Sequence, residues 1–438
     1  MKINTLKKVA VATFGCKVNQ YESACIANDF QLKGYDTVPF DQDADVYIIN
    51  SCTVTGRTDY KSRNAIRYAL EKKKKNARIK IIVTGCYSQL NREKILQMGE
   101  IDLVVDNNQK NRIYDYLDEH ETSFGNDPAL FINFAEQYTD SLFERSRAFI
   151  KIQDGCDYFC SYCTVPLARG KPRSRKPENI ISQIKQLTRN GYREFVLTGI
   201  NLGLYGKDLP EENINLAWIL SEIEEIEEVE QLRLSSLEPQ LISQDLIAFF
   251  AKSQKLCPHL HIPLQSGSDR ILSDMGRPYN TKEYSHLLSE LKRHIPDIAL
   301  GSDVILGLPG ETEIHFQETL SFIEKLPLVY LHIFPYSRRP GTKAAHMPGI
   351  PTSAEVKPRC DQLAGLMEKK RQQYLSYLVE NKIKLSGVLE QKRGNHWTAL
   401  SNHYVRIYLK SDKVSKGDLI SCLAQRVLFD GIEVVDND

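Results

Sequence analysis

The sequence predicts an α/β protein in three parts: an N-terminal doubly wound parallel sheet, a central partial (β/α)6 barrel and a small C-terminal β-barrel. Apolar, β-branched runs alternate with helical patterns over the first ~115 residues, and strands spaced by helices make parallel βαβ units. The same alternation recurs six times between Arg147 and Tyr336. The last ~60 residues then switch to short alternating segments, the pattern of a small barrel. The expected boundaries are 1–117, a linker over 118–146, 147–373 and 374–438.

Taken in order, Val9–Phe14 is the first apolar run, followed by a helical pattern from Asn19 to Leu32 and a stop at Gly34. Val46–Ile49, Ile79–Val83 and Leu103–Val105 are the next strands, and a basic helix spans roughly Asp59 to Lys74. From about Asp118 to Arg145 there is no clear period, as in a linker with some local structure. The central strands are Phe149–Ile152, Glu194–Leu197, Gln231–Leu234, His259–Ile262, Ala299–Ile305 and Val329–Phe334. Six repeats are too few for a closed eight-stranded barrel, so an open one is expected. After a Pro- and Gly-rich connector, Thr352–Glu355 is a capping-box signature opening a helix to about Leu378. Tyr404–Tyr408 and Asp418–Cys422 are the alternating segments of the final barrel.

The chain has 438 residues, 42% apolar and 26% charged, with a net charge of +1. That balance excludes a global electrostatic footprint for a polyanion, so a nucleic-acid partner needs local basic patches. No signal-peptide region or 18-residue apolar run is present, so no membrane association and a cytoplasmic location are expected. Ten cysteines in such a chain point to metal binding or catalysis rather than disulfides. Cys25, Cys257, Cys360 and Cys422 have no partner at ligand spacing and read as buried apolar thiols.

Six cysteines form two triplets. Cys156, Cys160 and Cys163 lie within eight residues just after a strand. Such a loop can wrap three corners of a cubane, and with no fourth cysteine nearby one iron stays open for a ligand. The competing readings are a structural zinc site using a distant His, or chance. Cys16, Cys52 and Cys86 are 36 and 34 residues apart, too wide for one metal loop but close to one βα unit. Each follows a strand directly, and such positions converge at one sheet edge. Three thiols there can hold a second cluster; the alternative is buried cysteines at strand ends by chance.

The central loop and the strand ends after it resemble the radical S-adenosylmethionine superfamily. The resemblance implies that the open iron binds S-adenosylmethionine, which is cleaved to a 5′-deoxyadenosyl radical. It implies cofactor contacts at Tyr162, at Gly199 and Asn201 for the methionine amino group, and at Ser235, Glu238, Gln265, Asp303 and Ile305 for carboxylate, ribose and adenine. Gly15–Ser23, Asn50–Thr55 and Gly85-Cys86 resemble the N-terminal domain of the methylthiotransferases, in which a second 4Fe–4S cluster carries the sulfur to be inserted. The region from about Tyr374 resembles the RNA-binding TRAM domain. Within the family, Gly15–Gln20 and Phe159–Gly170 look most like the branch that acts on N6-threonylcarbamoyladenosine beside the tRNA anticodon. A methylthio group at C2 of that adenine, two 4Fe–4S clusters, a reducing electron donor and a sulfur source are then implied. Relatives acting on isopentenyladenosine or on a ribosomal protein have different residues after the first cysteine. A zinc-containing RNA-binding protein is the non-enzymatic alternative. Beyond the cluster ligands, no catalytic acid or base stands out.

Arg169, Lys171, Arg173, Arg175 and Lys176 put five cations in eight residues beside the central triplet, favouring phosphate contact. A basic side chain must also meet the substrate carboxylate, with Arg169, Arg173, Arg175, Arg338 and Arg339 as candidates. Lys72–Lys75 end a helix, where cations suit the macrodipole. Between Lys382 and Arg426 there are nine Lys/Arg against three Asp/Glu, interleaved with Trp397, Tyr404 and Tyr408, which serve equally as core or as stacking platforms.

Overall fold

The computed structural model describes residues 6–118, 123–124, 127–140, 146–211 and 213–435. The first layer is a six-stranded, wholly parallel sheet. Its order is 35–38, 7–13, 46–51, 80–85, 103–105 and 123–124. The strand Val46–Ser51 is buried throughout, as a central parallel strand covered on both faces must be. Helices Lys17–Leu32 and Gly56–Lys75 lie against the sheet. Two strands escaped the sequence reading. Tyr35–Val38 is a half-exposed edge carrying a charge, and Ser123–Phe124 is too short to show a period.

The central strands 147–151, 194–198 and 231–234 form one parallel sheet, and 259–261, 299–306 and 328–335 another. A parallel bridge between Leu232 and Leu256 joins them. The first and last strands do not pair among the described residues, so the expected open barrel is what forms. One large apolar cluster fills it and binds its helices, from Ala148 and Ile150 through Leu197, Leu234 and Leu300 to Leu363.

The segment expected to be a linker is pinned where it is described. Main-chain carbonyls of Gln137, Thr139 and Asp140 accept from Tyr21, Gln183 and Asn190, at 2.7, 2.9 and 2.7 Å. Helix Ser353–Glu380 starts with the expected capping box and ends inside the next core, where Tyr374, Leu375 and Leu378 pack with the final strands. Those strands close a five-stranded barrel in the order 384–393, 396–400, 406–409, 431–434 and 419–428. Tyr408 is buried there, and Tyr404 stacks on His259 of the central barrel at 4.1 Å; neither is an open platform for a base. No helix among the described residues is long and apolar enough to cross a membrane.

Candidate active site

Three strand-end loops bring Cys16, Cys52 and Cys86 together. Gly15 has φ +95°, and a Cβ there would lie 2.6 Å from both Cβ and Sγ of Cys52, so glycine lets the first loop close on the second. The Asn19 amide donates to Phe14 O at 2.7 Å and to Ser51 O at 3.0 Å, and Ser51 Oγ donates to Thr84 O. These bonds lock the three loops together. Cys16 caps helix Lys17–Leu32, Cys52 lies just before Gly56–Lys75 and Cys86 opens Cys86–Leu90. Helix N-termini favour thiolates. Cys16 is exposed, whereas Cys52 and Cys86 are buried. Burial nevertheless pushes the Cys52 thiol up to about 12, and repulsion from the sulfurs of Cys86 and Cys16 adds to it. Three thiolates held this close repel one another, and positive charge stabilises them together.

Part of that charge is the protein's own. Arg169 is wholly buried; its Nε donates to Cys86 Sγ at 3.3 Å, and its other N–H groups reach Glu22, Asp154 and Asn19. Lys110 and Lys151 also pair with Glu22, and Lys151 and Arg173 with Asp154. Burial pushes the Glu22 carboxyl up, but Arg169, Lys110 and Lys151 outweigh it and hold it well below the carboxylate range. Four buried cations thus face two carboxylates, a surplus that anionic sulfur beside Arg169 would offset. The donor set fits an iron–sulfur cluster.

The same contacts correct the phosphate-binding reading of this loop. Arg169, Arg173 and Arg175 are 0, 2 and 2% exposed. Arg175 pairs with Glu136 and Gln183, and Arg173 with main-chain carbonyls of Arg169 and Lys171. Only Lys171 and Lys176 of the five face solvent. A run of cations shows charge, and its buried acid partners lie far off in sequence.

The central loop turns at Gly155, φ +75°, where a Cβ would lie 2.0 Å from Lys171 O. Cys156 N donates to Gly170 O, and Cys163 N to Cys160 O. Burial pushes up the thiols of Cys156 and Cys163, the latter to about 12, with the neighbouring sulfurs adding to the shift. Here too a buried arginine serves one sulfur. Arg277 donates through Nη1 to Cys160 Sγ at 3.2 Å, through Nε to Tyr279 and through Nη2 to Glu238. Nothing in the sequence around Arg277 marks it, because it lies 117 residues from its cysteine.

The residues expected to hold the cofactor gather around this loop. Tyr162, Gln265, Asp303 and Ile305 line, with Cys163, a cavity of about 210 Å³. Val54 and Thr55, just past Cys52, form its other wall, so the cavity lies between the triplets. Asn201 Nδ2 is 3.9 Å from Cys156 Sγ, and Gly199 adjoins the Gln153 side chain. The buried Asn201 Oδ1 and Ser235 Oγ have no hydrogen-bond partner among the described residues; a polar ligand would satisfy both. Glu238 is held by Arg277. A larger recess, about 800 Å³, lies on the outer helices and includes no cysteine.

A histidine chain behind the cavity was not foreseen. His259 Nε2 and His261 Nδ1 flank Tyr330 OH at 2.9 and 3.0 Å, and His261 Nε2 and His332 Nδ1 both meet Asp303 Oδ1, at 3.0 and 3.1 Å. Burial raises the Asp303 carboxyl, but these two histidines overcome it and hold it well below the usual range. His261, Asp303 and His332 could take a divalent ion, although hydrogen bonding alone accounts for their arrangement.

An open parallel barrel with three cysteines on the loop after its first strand, and orphaned polar atoms at the next strand ends, defines a radical S-adenosylmethionine enzyme. Residues 150–323 match the Radical SAM superfamily, and residues 8–106 match a family described as "Uncharacterized protein family UPF0004". The chain is 40% identical over 84% of its length to the threonylcarbamoyladenosine tRNA methylthiotransferase MtaB of Aquifex aeolicus, covering 89% of that protein. It is 37% identical over 94% of its length to the Bacillus subtilis MtaB, covering 92% of it. A tRNA-2-methylthio-N(6)-dimethylallyladenosine synthase of Clostridium botulinum is 36% identical, with 78% of this chain and 77% of that one covered. The chain belongs to the radical S-adenosylmethionine methylthiotransferases, enzymes that take a 4Fe–4S cluster and S-adenosylmethionine. Among solved structures, the methyltransferase TsrM of Kitasatospora setae shares the fold at TM-score 0.58 and 13% identity, over 78% of this chain and 77% of its own.

Proposed function

We propose that this protein is a cytoplasmic tRNA methylthiotransferase that places a methylthio group at C2 of N6-threonylcarbamoyladenosine, using two 4Fe–4S clusters. The observation that carries the reading is the 210 Å³ cavity with one triplet on each side: Cys163 in one wall, the residues after Cys52 in the other. The chemistry such groups supply is radical generation from S-adenosylmethionine at Cys156, Cys160 and Cys163, and sulfur at Cys16, Cys52 and Cys86. An electron donor and a sulfur source are needed from outside the chain.

The chain's own residues position and shield. Asn201 and Ser235 offer polar atoms for the methionine end of the cofactor, and Gln265, Asp303 and Ile305 line the remaining wall. Val54, Tyr162, Val165 and Phe334 make the cavity largely apolar, which keeps water from a radical. Of the cations considered for the substrate carboxylate, Arg169, Arg173 and Arg175 are buried and Arg339 pairs with Asp59. Arg338 remains: exposed, anchored through Nε to Ala345 O, beside cavity residues Tyr336 and Ser337. A charge-assisted pair with a carboxylate suits it. The C-terminal barrel, with its cation surplus, is read as one RNA contact.

Nucleoside analysis of tRNA from a deletion strain tests the function. The 2-methylthio derivative of threonylcarbamoyladenosine should vanish while its precursor accumulates. Loss of the isopentenyladenosine derivative instead would assign the other substrate.

A further inference from the structure

With three loop arginines buried, RNA near the cavity needs another cationic face. Helix Gly56–Lys75 carries eight Lys/Arg against two acids, a surplus of six in a chain whose net charge is +1. Its last-turn cations are accounted for in part: Lys72 pairs with Asp43, Lys73 with Asp102 and Lys74 with Glu71. Asp59 is taken by Arg339.

The stretch before that last turn is different. Arg57, Lys61 and Arg67 are exposed and make no ion pair among the described residues. With Tyr60, 56% exposed, and Asn64 they fall at i, i+3, i+4, i+7 and i+10, one face of an α-helix. Ser62, Ile66 and Ala69 form the buried face. Arg67 donates to the Asn64 side chain at 3.0 Å, but helix stability does not account for Arg57 and Lys61. Positive charge at Arg57 in the first turn opposes the macrodipole, and Arg57 and Lys61 repel each other at i, i+4. A stripe that costs local stability calls for an outside anion.

The stripe starts at the cavity. Val54 and Thr55 line the cavity, and Gly56 N donates at 3.0 Å to Ser337 Oγ, whose residue also lines it. From Arg57 to Arg67 the stripe runs about 15 Å along the helix, enough for about two or three successive phosphates. We propose that the Arg57, Tyr60, Lys61 and Arg67 face is a docking surface for the sugar–phosphate backbone of the RNA whose adenosine enters the cavity. This rests on the tRNA reading above and adds where the RNA lies.

The test uses the cluster-loaded full chain with R57E/K61E/R67E and tRNA binding at several salt concentrations. Affinity should fall at least about tenfold, and the log–log salt slope should flatten by roughly 2, at about 0.7 to 0.9 per lost phosphate contact. KM for tRNA should rise while kcat at saturation and RNA-independent cleavage of S-adenosylmethionine hold. Unchanged affinity and slope would overturn the proposal and leave capture to the C-terminal barrel. If the wild-type protein bound no tRNA at all, the tRNA reading itself would fail. Should the variant lose iron, the wild-type protein still decides: bound tRNA must slow acylation of Lys61 several-fold, and equal acylation with and without tRNA refutes the docking surface.

Discussion

The two cysteine triplets are alike at the sulfur and unlike in how the chain builds them. In each, a buried arginine donates to one cysteine, Arg169 to Cys86 at 3.3 Å and Arg277 to Cys160 at 3.2 Å. The central triplet sits on one loop, and its arginine is balanced by a single carboxylate, Glu238. The N-terminal triplet needs three loops, and its arginine comes from the central part of the chain, fixed by Glu22 from one part and Asp154 from the other. A local loop makes its own site, whereas a site at a sheet edge depends on what docks against that edge.

The largest expected effect separates the two. Arg169→Met removes the buried hydrogen bonds to Cys86, Asn19, Glu22 and Asp154, while Lys110, Lys151 and Arg173 still pair the two carboxylates. The loss of charged hydrogen bonds, about 1.5–3 kcal/mol each, should be read as a lower denaturant midpoint. Iron should be lost from the N-terminal triplet first, with 5′-deoxyadenosine formation retained. Equal damage at both triplets would erase the distinction drawn above. Arg277→Met is the counterpart at the central loop. Losing a charged hydrogen bond worth about 1.5–3 kcal/mol should slow cleavage of S-adenosylmethionine roughly 10- to 100-fold with iron content unchanged; a rate within twofold of wild type would deny Arg277 a role. Gly15→Ala is the mildest. Positive φ costs a non-glycine residue about 1–2 kcal/mol, and Cys52 must shift aside, so N-terminal iron should fall partly in a chain of nearly normal stability. Full iron content in that variant would mean the loops close without the glycine.

Much of this was legible in the sequence, for identifiable reasons. The six central strands recur between helical stretches, and the central cysteines share one loop. The N-terminal cysteines betray themselves by following three strands one βα unit apart. What the sequence hides is pairing across distance. Arg169 meets Glu22 across 147 residues and Asp154 across 15, so its loop reads as a solvated basic patch when it is a buried joint. Arg277 lies on a loop 117 residues from its cysteine, and adjacent strands bring the chain from His259 to His332 together, so neither carries a spacing signal. The basic stripe on Gly56–Lys75 was visible as composition, but its exposure and its start at the cavity wall needed the fold.

The central claim is that two clusters divide the work, and iron content together with cofactor cleavage tests it most directly. Anaerobically reconstituted protein should hold about eight irons, two cubanes' worth. With Cys16, Cys52 and Cys86 all changed to Ala, it should hold about four, still form 5′-deoxyadenosine, and make no methylthiolated nucleoside. Full iron in that triple variant, or loss of 5′-deoxyadenosine formation in a folded protein, would contradict the account.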